Sequence, residues 1–250
     1  MSQSAKHYEQ LLAEHYVWMF GVPFEQKAAE QKALVERFAS SLPPGLRRGS
    51  AIDLGCGPGF QTIALAQLGF APVIAIDTSK QLLAELRTRI GSYAIETREA
   101  DLASPDSIGA TPVASVIVCM GDTLTHLPTR AAVQDLFRLV FSRLTPGGLF
   151  VLTYRDLTGE LYGTDRFLPV QADDSRIMTC FLEYKNEDFV VVNDLVYVRE
   201  ESGWKLNKSS YEKLRLSTNW ISDRLCDAGF EIEREEPAGR LHMVAARKQI

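Results

Sequence analysis

Cysteine is scarce in this 250-residue sequence, and no two cysteines lie close together. Cys56, Cys119, Cys180 and Cys226 form no C-x-x-C pair, which argues against a zinc site or a disulfide framework. Three of the four sit beside apolar residues, the setting of a buried, reduced thiol. The histidines, His7, His15, His126 and His242, make no H-E-x-x-H pair, so no metal is expected. Positive charge is short as well: 27 Lys+Arg against 32 Asp+Glu leave a formal net charge of −5. A general nucleic-acid binder wants a basic face, so none is expected here. No apolar run reaches the length of a membrane span. The start, MSQSAKHYEQ, is polar and leads into an amphipathic stretch, so the sequence predicts no signal peptide, no membrane partner and a cytoplasmic location.

What is present is an ordinary globular composition, 46% hydrophobic and 24% charged. The length fits one large domain, or one domain with an insertion. Tyr8, Leu11, Leu12, His15, Tyr16 and Met19 keep helical spacing up to Gly21-Val22-Pro23, and a more polar helix is predicted over 25–39. From residue 50, short apolar runs alternate with helical stretches. Strands are expected at 51–54, 72–77, 95–101, 113–119 and 149–154, with helices N-capped by Ser79 and Thr129 between them. Repeated strand–helix–strand units imply a parallel sheet covered by helices on both faces. After Arg155 the rhythm changes. Aromatic and β-branched runs at 178–184, 189–199 and 204–211 are separated by turn chemistry and predict an antiparallel meander. A helix at 217–227 and two last strands complete the larger sheet. The chain divides into a helical cap (1–45), a core (46–154), an antiparallel insertion (155–216) and a closing segment (217–250).

Asp53-Leu54-Gly55-Cys56-Gly57-Pro58-Gly59 follows a strand and opens a helix, so the backbone can approach a ligand closely. A dinucleotide fingerprint wants G-x-G-x-x-G, but Phe60 stands where the third glycine belongs. Asp53 also suits a cationic or hydroxyl-rich ligand better than a pyrophosphate. Asp77 ends the second strand, placed to accept ribose hydroxyls, and Asp101 ends the third, placed to accept from an exocyclic amine.

These residues resemble the class I S-adenosylmethionine-dependent methyltransferases. D-L-G-C-G-P-G matches their first motif, Asp77 their ribose-binding acid and Asp101 their adenine-contacting position. The resemblance is close over residues 50–155. It implies an α/β, Rossmann-like, doubly wound and mostly parallel seven-stranded sheet, with the antiparallel insertion as a lid before the last helix. It also implies S-adenosyl-L-methionine as cofactor and S-adenosyl-L-homocysteine as product. Asp53, Gly55, Cys56, Gly57, Asp77, Thr78, Asp101, Leu102, Met120 and Gly121 are the expected cofactor residues, with Tyr16 and Trp18 folding over as an N-terminal lid.

Met120-Gly121-Asp122-Thr123-Leu124-Thr125-His126-Leu127 resembles the G-N-S-F-x-H-L stretch of the glycine and sarcosine N-methyltransferase branch, with Asp122 in place of Asn. Tyr154-Arg155 resembles that branch's H-R, whose arginine holds a substrate carboxylate, and Tyr211 an aromatic position near its substrate. Asp122, His126, Arg155 and Tyr211 are therefore the candidate catalytic residues. His126 is read either as a base or as a packing residue, and Arg155 either as an anion contact or as an ion-pair partner of Asp122 or Asp156. The expected activity is methyl transfer to a small polar metabolite, at nitrogen rather than oxygen. The rivals are an RNA or protein methyltransferase, a non-catalytic S-adenosylmethionine-binding protein and a nicotinamide-dependent dehydrogenase. The aromatics of the insertion, Tyr184, Tyr197 and Trp204, suit a substrate cover or the surface of a homodimer or higher homo-oligomer equally.

Overall fold

Apolar runs of four to six residues leave no room for a helix and form strands buried on both faces. The computed structural model describes residues 3–108 and 111–250. In it, β1 (Ala51–Leu54), β2 (Val73–Asp77), β3 (Ile95–Glu99), β4 (Ala114–Cys119) and β5 (Leu144–Tyr154) run parallel, and β10 (Phe230–Ala238) and β11 (Leu241–Lys248) close the sheet antiparallel. The order is β10-β11-β5-β4-β1-β2-β3. The expected fold class is thus the one observed, a mostly parallel seven-stranded Rossmann-like sheet with a separate antiparallel one.

Side chains alternate across this sheet and build two cores. Ile52, Ile74, Ile117 and Phe150 face α6 (Arg130–Arg143) and α7 (Thr218–Asp227). Ala51, Val73, Val116 and Val151 face α3 (Phe24–Ala39) and α4 (Phe60–Gln67). The capping residues act as the sequence predicts. Ser79 accepts from Leu82 N at the start of α5 (Lys80–Arg87), and Thr129 from Ala132 N at the start of α6. Strand order reverses at β1, so the turns after β1 and β4 part there and open a crevice at their carboxyl ends.

The insertion is a four-stranded sheet of order β6-β7-β8-β9, with β7 (Arg176–Tyr184), β8 (Phe189–Glu200) and β9 (Gly203–Leu214) where the meander was expected. β6 (Phe167–Ala172) was not expected. Pro169 interrupts its apolar run, and the strand lies at an edge with a register shift between Pro169 and Gln171, where a missing N–H is tolerated.

The N-terminal segment also departs from one regular helix. α1 (Gln3–His7) passes into a π-helical turn at Tyr8–Leu12, then α2 (Ala13–His15) and a 3-10 turn at Trp18–Phe20. Leu11 and Leu12 pack on Met178 and Val196 of the small sheet. Among the described residues no helix is long and apolar enough to cross a membrane.

Phe137 of α6 is fully buried, with its ring 6.0 Å from that of Phe150. Phe137→Ala is expected to cost about 3–5 kcal/mol, read as a lower urea midpoint at unchanged slope.

Candidate active site

The turn after β1 is fixed by backbone conformations that side chains resist. Gly55, Gly57 and Gly59 have φ of +71°, +53° and +98°. Gly55 N and Cys56 N both donate to Ile76 O, at 2.8 and 3.0 Å, which pins the turn to β2. Asp77, at the end of β2, accepts from Gly57 N on one carboxylate oxygen and from Ser79 N on the other, each at 2.8 Å. Burial raises its pKa above the ordinary carboxyl value, and the two amide donors oppose that rise.

Below this turn opens a cleft. Gly55, Gly57, Asp77, Thr78, Asp101 and Leu102 line it, as the sequence predicts. Tyr8 and Tyr16 of the N-terminal segment border it as well, and His126 forms part of its wall. Cys56, Met120 and Gly121 line a neighbouring hollow, and Tyr16 borders both spaces.

Two expected cofactor residues lie elsewhere. Asp53 is 1% exposed and lines neither space; its carboxylate accepts from the Thr62 hydroxyl at 2.6 Å. Burial pushes its pKa up to about 7, against the Thr62 hydrogen bond. Trp18 turns away to the small sheet, where its indole donates to Asp173 and stacks under the Arg176 guanidinium at 4.7 Å. The lid aromatics over the cleft are instead Tyr8 and Tyr16.

Of the four other candidates, Arg155 donates its backbone N–H to Asp122, His126 stacks on Tyr211, and only His126 lines the cleft. Asp122 has φ +75°, the one positive value on a non-glycine among the described residues. Asp and Asn both tolerate that conformation, which accounts for the exchange relative to the resembled motif. Asp122 is 5% exposed and accepts from Arg155 N (2.8 Å), the Thr125 hydroxyl (3.0 Å) and Lys213 Nζ (2.6 Å). The Arg155 guanidinium lies farther off, Nε at 3.8 Å. Asp122 lines neither the cleft nor the neighbouring hollow.

The rings of His7, Tyr211 and His126 stack in series, with centroids 4.2 and 5.3 Å apart. His7 Nε2 lies 2.9 Å from Asp194 Oδ2, with both residues buried. Burial, then the charges of Lys213 and His7, pushes the His126 pKa well below its ordinary value. Burial raises the phenols of Tyr8 and Tyr211 well above theirs.

Sequence reasoning missed Lys213, His7, Asp194 and Tyr8 as members of this group. Lys213 follows Tyr211 by two residues on β9 and so shares its face, the one local signal available. His7 and Asp194 are 187 residues apart, and nothing local links them.

Residues 51–148 match the family model described as a methyltransferase domain. The putative methyltransferase YqeM of Bacillus subtilis is 26% identical over 78% of this chain and 77% of its own length. Mouse glycine N-methyltransferase is 29% identical over 42% of this chain, and the trans-aconitate 2-methyltransferase of Rhizobium meliloti 32% identical over 45%. The chain spans only 40% and 41% of the length of those two. The solved structure of the CcbJ methyltransferase from Streptomyces caelestis superposes with a TM-score of 0.74, at 20% identity, over 100% of this chain and 97% of that one. Residues 51–148 are thus a methyltransferase domain, a domain that implies S-adenosylmethionine as cofactor. The cleft fits that group. Gly57 N approaches without a side chain, Asp77 and Asp101 offer acceptors to hydroxyl and amine donors, and Leu82 and Leu102 supply apolar walls.

Asp77→Ala is expected to weaken S-adenosylhomocysteine binding about 10- to 100-fold by calorimetry, the loss that follows removal of a charged acceptor. Asp53 generates a stability prediction. With a folded pKa of about 7 against an ordinary 3.8, the folded chain keeps a proton that the unfolded chain releases. Stability of the cofactor-free protein should then fall as pH rises through that window and level off above it. Asp53→Asn should flatten the fall, measured as urea midpoints at about pH 5 and about pH 8.

Proposed function

We propose that this chain, a class I S-adenosylmethionine-dependent methyltransferase, moves the methyl group to a nitrogen of a small polar metabolite. The observation that carries this reading is that no free base stands at the acceptor side among the described residues. Asp122 is held by three donors, the His126 pKa is pushed well down, and the tyrosine hydroxyls are pushed up. A hydroxyl acceptor needs a base to take its proton, whereas an amine needs only to arrive neutral.

The surroundings favour that neutral form. Lys213 and Arg155 bring two positive charges to the single negative charge of Asp122. Surplus positive charge in a half-buried site disfavours an ammonium and so releases the amine lone pair. His126, stacked on Tyr211, then acts as a neutral wall that orients the acceptor, and the Arg155 guanidinium holds an anionic group of the same metabolite. When bound, the cofactor supplies a methyl group on a good leaving group, so alignment provides most of the acceleration. Gly55, Gly57, Asp77, Thr78, Asp101 and Leu102 hold the cofactor in this reading, while Tyr8 and Tyr16 exclude water. The net charge of −5 and the covered cleft favour a small acceptor over a nucleic acid.

A carboxylate oxygen is the second reading, since it too needs no base and the same positive charge attracts it. Pairing with a guanidinium would blunt its nucleophilicity, which places it second.

Incubation with methyl-labelled S-adenosylmethionine and fractionated metabolites separates these readings. Label that survives alkali in an amine-bearing product is expected. Label released as methanol by alkali would mean ester formation and overturn the nitrogen assignment. For an amine acceptor kcat/KM should also rise with pH up to the pKa of that amine.

A further inference from the structure

Three successive residues of the N-terminal segment reach three different parts of the protein. Neighbours on a helix point about 100° apart, so each can find its own partner. His7 turns to the small sheet, where Nε2 meets Asp194 Oδ2 at 2.9 Å and the ring stacks on Tyr211. Tyr8 turns to the cleft, its ring 5.6 Å from that of His126 and 5.9 Å from that of Tyr16. Glu9 turns to the start of α5, where Oε1 accepts from Lys80 N at 3.1 Å and from the Ser79 hydroxyl at 3.3 Å. Residues 3–12 thus form a strap beside the cofactor cleft, which Ser4, Ala5 and Tyr8 line. Beyond the strap the chain is held on the core, where Phe20 meets Phe60 edge to face at 5.2 Å.

The ties on the two sides of the strap are unequal. His7 and Asp194 are both buried, and Leu11 and Leu12 pack beside them on Met178 and Val196. Parting that contact leaves buried polar groups without partners, which costs their full desolvation. Glu9 is exposed, so water replaces each of its hydrogen bonds as they open. Its contact sets an anion against the unpaired N–H groups of a helix start, a favourable but modest interaction. Asp77 shares that helix start, since it accepts from Ser79 N. Burial raises the Asp77 carboxyl above its ordinary value, and the charge of Glu9 adds to that rise. Two like charges at one helix start oppose each other, which keeps the Glu9 tie the weaker of the two.

We propose that Glu9 is the latch of this strap: the strap, carried by the small sheet, lifts from the start of α5 when the cofactor enters or leaves, and the Glu9 carboxylate holds it down between those events. Glu9 lines neither the cleft nor the neighbouring hollow, so it is a positioning residue that acts through Tyr8 and Ala5 beside it. The buried His7–Asp194 contact stays closed during the movement, and the exposed contact opens. The latch joins the strap to the helix that follows Asp77, so the cover and the floor of the cleft meet at this one carboxylate.

The test is the dissociation of S-adenosylhomocysteine from the full chain by stopped flow, together with hydrogen exchange of the same complex. Glu9→Ala should speed dissociation about fivefold, the worth of an exposed charge at a helix start. Peptides covering 3–12 should exchange faster by a similar factor, while those of α5 and β1 keep the wild-type rate. Glu9→Gln keeps an acceptor oxygen without the charge and should fall between wild type and Glu9→Ala. Glu9 is exposed, so neither variant threatens folding. Unchanged dissociation in Glu9→Ala would overturn the proposal. So would a loss of affinity that comes from slower association alone, or faster exchange confined to α5, which would make Glu9 a helix cap and nothing more.

Discussion

The Asp122 carboxylate is the point on which the junction of the two sheets rests. It sits at the end of the turn after β4 in a left-handed conformation, accepts the backbone N–H that follows β5 and takes the ammonium of Lys213 from β9. One buried side chain thus ties two neighbouring strands of the large sheet to the last strand of the small one. Removing either member of a buried pair leaves an uncompensated charge, at a typical cost of about 3–5 kcal/mol. The small sheet is therefore anchored at a chemically committed point. Tyr211 of the Tyr211–His126 stack lies two residues from Lys213 on the same strand.

The cofactor side has a different logic, built on backbone rather than on charge pairs. Glycines with positive φ let the turn after β1 fold back on β2, and Asp77 fastens that turn to the start of α5 through two amide bonds. The resulting floor owes little to the insertion or to the N-terminal segment, which contribute the cover. Tyr8 and Tyr16 are carried on a helix interrupted by a π turn, an irregularity that often marks functional positions. Floor, wall and cover thus come from three separate stretches of chain.

Much of the fold was legible because parallel strands announce themselves. Runs such as Val73–Asp77 and Ala114–Cys119 are buried on both faces, so their composition reflects burial directly. β6 was not legible, since Pro169 carries the signature of a break even where an edge strand tolerates it. The floor residues Gly55, Gly57, Asp77 and Asp101 were legible for a similar reason: each is held near the end of a strand whose position was already known. Asp53 lies in the same motif, yet it lines neither space. The alternation of a strand sends it to the side away from the cleft, toward Thr62.

By itself the sequence determined the strand–helix rhythm and the glycine turn with its acids. These are local properties, written in spacing and in the conformational demands of single residues. Tertiary structure alone decided the state of the buried titratable groups. Lys213 cancels the charge of Asp122, His7 and Asp194 meet across 187 residues, and burial makes His126 a poor base. The physical reason is range. Backbone conformation is set within a few residues, whereas the pKa and charge balance of a buried group depend on whatever distant chain folds against it.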